Sequence, residues 1–244
     1  MKGYIMTEYI IDIHAHILPG IDDGSTNLEE SAQMLDKAFN QGIHTIIATP
    51  HFKRKQNLDQ LKALINDLIK EAKKIDPDFR IFLGQELLYF DSLVDYLKEG
   101  KALTLANSRY VLVEFMPDVI YNNLYQWVRK ILMAGYLPVI AHVERYHCLK
   151  KEGRLQELIS IGCYLQMNYR SVQGNIFDAN ARWCKKALIN QYIHFLSTDM
   201  HHINYRTPVI DKSMDWLKRN LNAEYLSAIT SQNANSIIEN QVLR

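Results

Sequence analysis

The chain has 244 residues, 48% hydrophobic and 23% charged, which suits one globular core. Its formal net charge of +1 gives no electrostatic footprint for nucleic acid or an anionic membrane surface. No apolar run approaches the ~20 residues that span a bilayer, so no membrane insertion is expected. Cys148, Cys163 and Cys184 show no paired spacing, which argues against a disulfide framework and fits a reducing compartment. At the N-terminus, Tyr4-Ile5-Met6 is cut short by Thr7 and Glu8, too soon for a signal peptide, and Met6 offers an alternative start. A cytoplasmic protein of one domain over 1–244 is expected.

The first element is a buried strand marked by Ile10, Ile11 and Ile13, with Asp12, His14 and His16 two apart and therefore on one side. Pro19-Gly20 breaks it, and Asp22-Asp23 follow. Asn27 and Glu30 form a capping-box pattern, opening a helix with Leu28, Ser31, Leu35, Ala38 and Phe39 at helical period and Gly42 beyond its end. Thr45–Thr49 is a second strand, ending at Pro50-His51. A longer helix carries Leu58, Leu61, Leu64, Ile65, Leu68, Ile69 and Ala72. The third strand, Arg80–Leu83, runs into Gly84-Gln85-Glu86, and a short helix is expected within 91–100. The fourth strand, Tyr110–Val113, ends at Glu114, and Leu124, Trp127, Val128, Ile131 and Leu132 stripe the next helix. The fifth strand, Pro138–Ala141, ends at His142. Leu155, Leu158 and Ile159 carry a helix stopped by Gly162, before the sixth strand at Cys163–Asn168. A helix near 178–190 leads to the seventh strand, His194–Thr198, which ends at Asp199. Helices near 210–221 and 223–239 finish the chain.

Seven short apolar strands alternating with helices read as a parallel α/β sheet covered on both faces. The simplest closed solution is a TIM-barrel-like (β/α)7 barrel, one strand short of the usual eight. In such barrels the active site lies at the carboxyl ends of the strands. There the sequence places His14, His16, His51, Glu86, Glu114, His142, Asp199 and His201, from six of the seven strands. Any one of these reads equally as a satisfied polar residue. Together, without cations, they would carry a large desolvation cost. The donors are nitrogen and oxygen with no thiolate, which points to manganese, iron or catalytic zinc. The set exceeds one ion's needs, so two or three clustered metals are expected, with Glu86 or Asp199 bridging. Clusters of this kind activate water and clamp the oxygens of an in-line displacement at phosphorus. Arg145 and Arg206 lie just beyond candidate ligands, and guanidinium forks suit phosphate oxygens.

The segments Ile-Asp-Ile-His-Ala-His-Ile-Leu-Pro-Gly-Ile-Asp-Asp-Gly-Ser, Ala-Thr-Pro-His51, Gly-Gln-Glu86, Glu114-Phe, Ala-His142-Val-Glu-Arg145-Tyr and Ser-Thr-Asp199-Met-His201 resemble the polymerase and histidinol phosphatase (PHP) family. More closely they resemble its bacterial branch of CpsB/YwqE-type tyrosine-protein phosphatases, in order along nearly the whole chain. The resemblance implies a seven-stranded barrel and a manganese-dependent phosphotyrosine phosphatase. Its implied substrates are bacterial tyrosine kinases that control capsule or exopolysaccharide synthesis. Carried over by position, the eight residues above are metal ligands, and Asp23, Arg145 and Arg206 act near the substrate.

Several residues admit other readings. Asp23 suits a ligand, a general acid for the leaving phenolate or a loop cap, and His201 is a second candidate acid. Asp12 suits either a partner that orients a ligand histidine or a plain buried hydrogen bond. His44 and His194 belong to the opposite end of the barrel, His202 is expected to face solvent, and His147 is ambiguous. Tyr89, Tyr121, Tyr125 and Tyr146 lie near the rim without an assigned role. His147-Cys148 followed by Arg154 fits the bare spacing of the cysteine phosphatases. With one glycine and Glu152 in the loop, however, it lacks a phosphate cradle. The rival functions are a small-metabolite phosphatase of the histidinol-phosphate type, a metal-dependent amidohydrolase and a non-catalytic kinase-binding partner.

Overall fold

The computed structural model of the protein describes residues 9–175 and 177–243. The N-terminal run at 1–8, on which the signal-peptide and alternative-start readings rest, lies outside the described residues. The first half runs β1 (Ile10–Ala15), α1 (Leu28–Phe39), β2 (Ile43–Ala48), α2 (Leu58–Ile75), β3 (Arg80–Leu83), β4 (Glu86–Leu88) and α3 (Leu93–Lys98). It continues through β5 (Tyr110–Glu114), α4 (Tyr121–Met133), β6 (Leu137–Ile140), α5 (Arg154–Ser160), β7 (Tyr164–Asn168), α6 (Ala179–Ile189) and β8 (Phe195–Ser197). Helices α7 (Asp211–Asn220), α8 (Ala223–Ser227) and α9 (Asn233–Ile238) close the chain, the last two joined by a π-turn at Ala228–Gln232. The single helix expected over 223–239 is thus interrupted.

All strand pairs are parallel, and they form two sheets ordered β1-β2-β3 and β4-β5-β6-β7-β8. Here the structure departs from the seven-strand expectation. The third strand is two strands, β3 and β4, and they belong to different sheets. Gly84 and Gln85 make the break. A Cβ on Gly84 would stand 2.9 Å from Leu105 Cδ2, so the chain passes there only without a side chain. Gln85 is buried and accepts a hydrogen bond from Leu103 N at 2.9 Å. The sheets meet through isolated parallel bridges, Ala15 with Met200 and His51 with Glu86, rather than through one continuous ladder. His16 N donates to Met200 O at 2.9 Å, and Phe52 N donates to Glu86 O at 2.9 Å.

Most strands are buried on both faces, as their continuous apolar runs require; β3 and β4 are the exceptions, with Arg80 and Leu88 exposed. One face packs with the helices; the other holds a smaller cluster containing Ile47, Tyr110, Leu112, Val139, Tyr164 and Phe195. Residues two apart on that second face explain where the chemistry sits. Tyr110 and Leu112 lead to Glu114, Tyr164 leads to Gln166 and Asn168, and Phe195 leads through Ser197 to Asp199. Each strand face is apolar at its start and polar at its carboxyl end. Helix α1 is capped by Asn27, whose Oδ1 accepts from Glu30 N at 3.0 Å. Glu30 does not return the bond to Asn27, as a standard capping box would; its Oε2 accepts from Thr26 N at 2.9 Å.

Candidate metal centre

Glu86 is the hub. Its carboxylate, 1% exposed, faces four imidazoles: His142 Nε2 at 2.8 Å, His16 Nε2 and His51 Nδ1 at 3.2 Å, and His14 Nε2 at 3.3 Å. Glu114 reaches His51 Nδ1 at 3.3 Å and His142 Nε2 at 3.5 Å. Asp199 Oδ1 lies 3.6 Å from His14 Nε2 and 3.7 Å from His16 Nε2. Asp23 stands at the mouth, 62% exposed, 3.4 Å from His51 Nε2 and 3.5 Å from His201 Nε2. All eight predicted ligands and Asp23 therefore meet at one end of the strands.

The outer nitrogens of these imidazoles are pinned in a way that decides what the inner ones can do. His16 Nδ1 lies 2.7 Å from Asp22 Oδ2, His14 Nδ1 lies 3.2 Å from Gln166 Oε1, and His201 Nδ1 lies 3.0 Å from Asp199 O. Carboxylate and carbonyl oxygens only accept, so each Nδ1 carries the proton. In the neutral ring that leaves Nε2 as a lone pair aimed inward, the arrangement of a metal-binding histidine. His201 Nε2 is buried and has no hydrogen-bond partner. Donor atoms of His16, Asp23, His51 and His201 lie within 4.8 Å of one another; so do those of His14, His16 and Glu86, and those of His51, Glu86 and Glu114. An orphaned buried nitrogen, a mixed nitrogen–oxygen donor set and three overlapping donor groups fit a cluster of cations.

The electrostatics agree. Burial opposes ionisation of His14, yet Glu86 and Asp199 outweigh it and raise its pKa. Burial likewise opposes ionisation of His16 and His51, but Asp22 and Glu86 push the first up to about 9, and Glu114 and Glu86 push the second up to about 8. Burial works against Glu86 as well, and the surrounding histidines hold it well below the usual carboxylate range. Without cations, protons on the imidazoles supply the positive charge that these carboxylates need. His201 goes the other way: burial, with His16 and Arg206 close by, takes it down to about 2, so it stays neutral.

Asp199 is held beneath a group of arginines. Arg145 Nη2 donates to Oδ2 at 2.5 Å, Arg206 Nη2 to Oδ1 at 2.5 Å, and Arg170 Nη2 to Oδ2 at 3.0 Å. Asn168 Nδ2 adds a bond to Oδ2 at 2.8 Å. His142, Asp199 and Arg206 take left-handed backbone φ values of 34°, 52° and 47°. For side chains this costs about 1–3 kcal/mol each and is tolerated where function needs the turn. Arg145 and Arg206 were expected here. Arg170, Gln166 and Asn168 were not. Gln166 and Asn168 carried a signal, two polar residues two apart in an otherwise apolar strand. Asp22 was visible as the neighbour of Asp23. Arg170, in the turn after β7, carried none.

Some expectations change. Asp12 does not orient an imidazole; its Oδ1 accepts from His14 N and Thr198 N at 3.2 Å, and its Oδ2 accepts from Thr198 Oγ1 at 2.5 Å. The pairing of β1 with β2 shifts register between Asp12 and Ala15, and such a shift re-aims the side chains beyond it. His202 is not solvent-facing. It is half-buried, with Nδ1 at 3.0 Å from Glu30 Oε1 and Nε2 at 2.9 Å from Asp23 O, so it fixes the loop that carries Asp23. Tyr146, left without a role, is fully buried; its hydroxyl accepts from Phe115 N at 3.1 Å and lies 3.3 Å from His142 Nδ1. His44 packs against Tyr9 and Phe39, His194 packs against Tyr164, and His147 is exposed, all outside the cluster. The Cys148 decoy fails on two counts. Burial pushes its thiol up, and Arg154 donates to the Cys148 carbonyl and lies over the Tyr121 ring.

The family model for capsular polysaccharide synthesis proteins CpsB/CapC matches residues 10–239. The tyrosine-protein phosphatase CpsB of Streptococcus agalactiae is 32% identical over 96% of this chain and 100% of its own. YwqE of Bacillus subtilis is 30% identical over 96% of this chain and 93% of its own. Among solved structures, one from the study of YwqE of Bacillus subtilis and CpsB of Streptococcus pneumoniae, described as unique metal-dependent tyrosine phosphatases, is similar at a TM-score of 0.86 with 28% identity, covering 96% of each chain. A phosphotriesterase from Mycobacterium tuberculosis shares the fold alone, at a TM-score of 0.60 and 13% identity over 98% of this chain and 96% of its own. With a buried, histidine-pinned donor cluster and full-length similarity of this kind, the chain belongs to the CpsB/CapC family.

Proposed function

We propose that this protein is a metal-dependent tyrosine-protein phosphatase, a hydrolase removing phosphate from phosphotyrosine in proteins. We take it as a single PHP-type domain whose two sheets curve into a (β/α)7 barrel. The observation that carries the reading is the set of inward Nε2 lone pairs around Glu86, above all the orphaned Nε2 of His201. The relatives' names add phosphotyrosine as the substrate and capsule synthesis as the setting. A bacterial tyrosine kinase is the proposed protein partner, and the cytoplasm the proposed compartment.

His14, His16, His51, Glu86, Glu114, His142, Asp199 and His201 would hold two or three cations, Mn2+ first, with Fe or Zn as alternatives. Glu86 is placed to be shared. Bound cations supply an activated water at neutral pH and neutralise charge on the phosphoryl oxygens. The chain's own residues do the rest. Asp22, Gln166 and the Asp199 carbonyl keep the imidazole lone pairs inward. Arg145 and Arg206 orient the phosphoryl group with guanidinium forks. Asp23, at the mouth beside His51 and His201, handles the proton at the leaving phenolate oxygen. His201 serves as a ligand rather than as the acid, because burial keeps it neutral.

The test is hydrolysis of a tyrosine phosphopeptide by purified protein with Mn2+, with histidinol phosphate and a phosphoserine peptide alongside. Release from the tyrosine peptide, abolished by a chelator and by the double variant His14→Ala/His16→Ala, is expected. Rapid cleavage of histidinol phosphate with no release from the tyrosine peptide refutes the reading in favour of a metabolite phosphatase. Kinase binding without any turnover refutes it in favour of a non-catalytic partner.

A further inference from the structure

Three guanidinium groups share one carboxylate at Asp199. Oδ2 accepts from Arg145, Arg170 and Asn168, and Oδ1 from Arg206. Each carboxylate oxygen has about two acceptor positions, so Oδ2 is over-subscribed by three donors, while Oδ1, 3.6 and 3.7 Å from the Nε2 atoms of His14 and His16, keeps one free. Each guanidinium has five donors, so most of theirs remain uncommitted, and Arg206 Nε is buried without a partner. The other deeply buried carboxylate of the cluster, Glu86, is taken up by histidines. Asp23, 3.9 Å from Arg206 Nη1, and the buried Glu144 add negative charge nearby, but Asp199 is the carboxylate that all three guanidinium groups share.

A cation on Oδ1 would draw charge from the carboxylate and weaken the hold of Oδ2 on its three donors. The longest of those bonds, Arg170 at 3.0 Å, would loosen first, and its guanidinium would then need another anion. A phosphoryl group, with its non-bridging oxygens and dianionic charge, is that anion. Arg170 is built for the task. Its backbone lies in the turn after β7, fixed by Ser213 Oγ donating to Tyr169 O at 2.7 Å and by Ser171 Oγ donating to Glu144 Oε1 at 2.6 Å. Its side chain is 37% exposed and borders a cavity of about 430 Å³, shared with Arg206, Gln173, Asn204, Tyr205 and Thr207. The anchor is rigid, while the guanidinium has open space in which to swing.

We propose that Arg170 is a third phosphoryl-binding residue, leaving Asp199 when the centre is loaded and closing on the substrate's phosphoryl oxygens beside Arg145 and Arg206. This rests on the phosphatase reading above and extends it to a residue that neither motif nor spacing marks.

The experiment titrates inorganic phosphate calorimetrically into Mn2+-loaded wild type, Arg170→Ala and Arg170→Lys. Mn2+ affinity, melting temperature and the kinetic constants for a tyrosine phosphopeptide are measured on the same samples. Loss of a charge-assisted hydrogen bond is worth about 10- to 100-fold. Arg170→Ala is thus expected to weaken phosphate by about tenfold or more, and to raise KM more than it lowers kcat. Arg170→Lys should recover part of the phosphate affinity, while neither variant binds Mn2+ more weakly than wild type. Phosphate affinity unchanged in Arg170→Ala overturns the proposal. So does weakened Mn2+ binding with phosphate unaffected, which makes Arg170 a positioning residue for Asp199 alone. A wild type inactive on phosphotyrosine that still needs Arg170 to bind phosphate supports this role and sinks the tyrosine-phosphatase reading instead.

Discussion

Gly24 is a position where a single methyl group should do great harm to the centre without replacing any candidate ligand. A Cβ there would stand 2.2 Å from His16 O and 2.6 Å from His16 Cβ. Both belong to the segment that carries His16 into the cluster, so there is no flexible side-chain end to move aside. To reach ordinary contact the two backbones must part by roughly 1 Å, and a misplacement of that size costs on the order of 100-fold in rate. The loop is held from both sides, because Ser25 N donates to His16 O at 3.1 Å and Gly24 N donates to Asp22 Oδ1 at 3.0 Å. Overpacking of this kind destabilises by about 1–3 kcal/mol, so the protein should still fold. Gly24→Ala is therefore expected to lower kcat/KM on a tyrosine phosphopeptide by about 100-fold and to weaken Mn2+, with a modest fall in melting temperature. Calorimetric metal titration together with steady-state kinetics checks this. A folded Gly24→Ala protein with wild-type Mn2+ affinity and wild-type kcat/KM would refute the reasoning from contact to chemistry.

Asp22→Ala should weaken the divalent metal about 10- to 100-fold, because no acceptor then holds the His16 Nδ1 proton through the 2.7 Å contact; equilibrium dialysis reads it, and unchanged affinity would count against the pinned-imidazole argument. In the metal-free protein His16 and His51 titrate near 9 and 8, above the ordinary 6.5. A raised histidine pKa stabilises fully below the unfolded value and is lost as pH rises through the folded one. The metal-free melting temperature should therefore fall between pH 6.5 and 9 through these groups. Metal uptake at pH 7 should release protons, measurable by calorimetry in buffers of different ionisation enthalpy, and no release would contradict the raised values. Cys148→Ser should leave turnover within about twofold of wild type, since that thiol is pushed up by burial and lies outside the cluster. A large loss there would reopen the cysteine route.

The candidate ligands were legible because each closes a short apolar run, and a strand that ends in histidine or a carboxylate delivers it to the common rim. His14, His51, Glu114, His142 and Asp199 all arrive in this way. The groups that serve them were harder to see. Gln166 and Asn168 look like ordinary polar substitutions until the strand face is traced from Tyr164, and Arg170 declares itself only through its distance to Asp199. Asp12 kept two readings because simple alternation ignores the register shift in β1, and the plain buried hydrogen bond is the one found. The break at Gly84-Gln85 was hidden by the continuity of the apolar run, since hydropathy does not report which neighbour a strand pairs with. His202 was read as solvent-facing because its partner, Glu30, lies 172 residues away in sequence.

The break between β3 and β4 gives the centre a mechanical meaning. His14 and His16 extend from one sheet, while Glu86, Glu114 and His142 come from the other. Glu86 is the first residue past the seam. An ion held by both sets would be a rivet across two plates whose backbones pair at this seam, among the described residues, through one isolated bridge at His51 and Glu86. Loading the protein should thus slow amide exchange on both sides of Gly84-Gln85 together, so that stripping the ions loosens the scaffold along the same line that silences the chemistry.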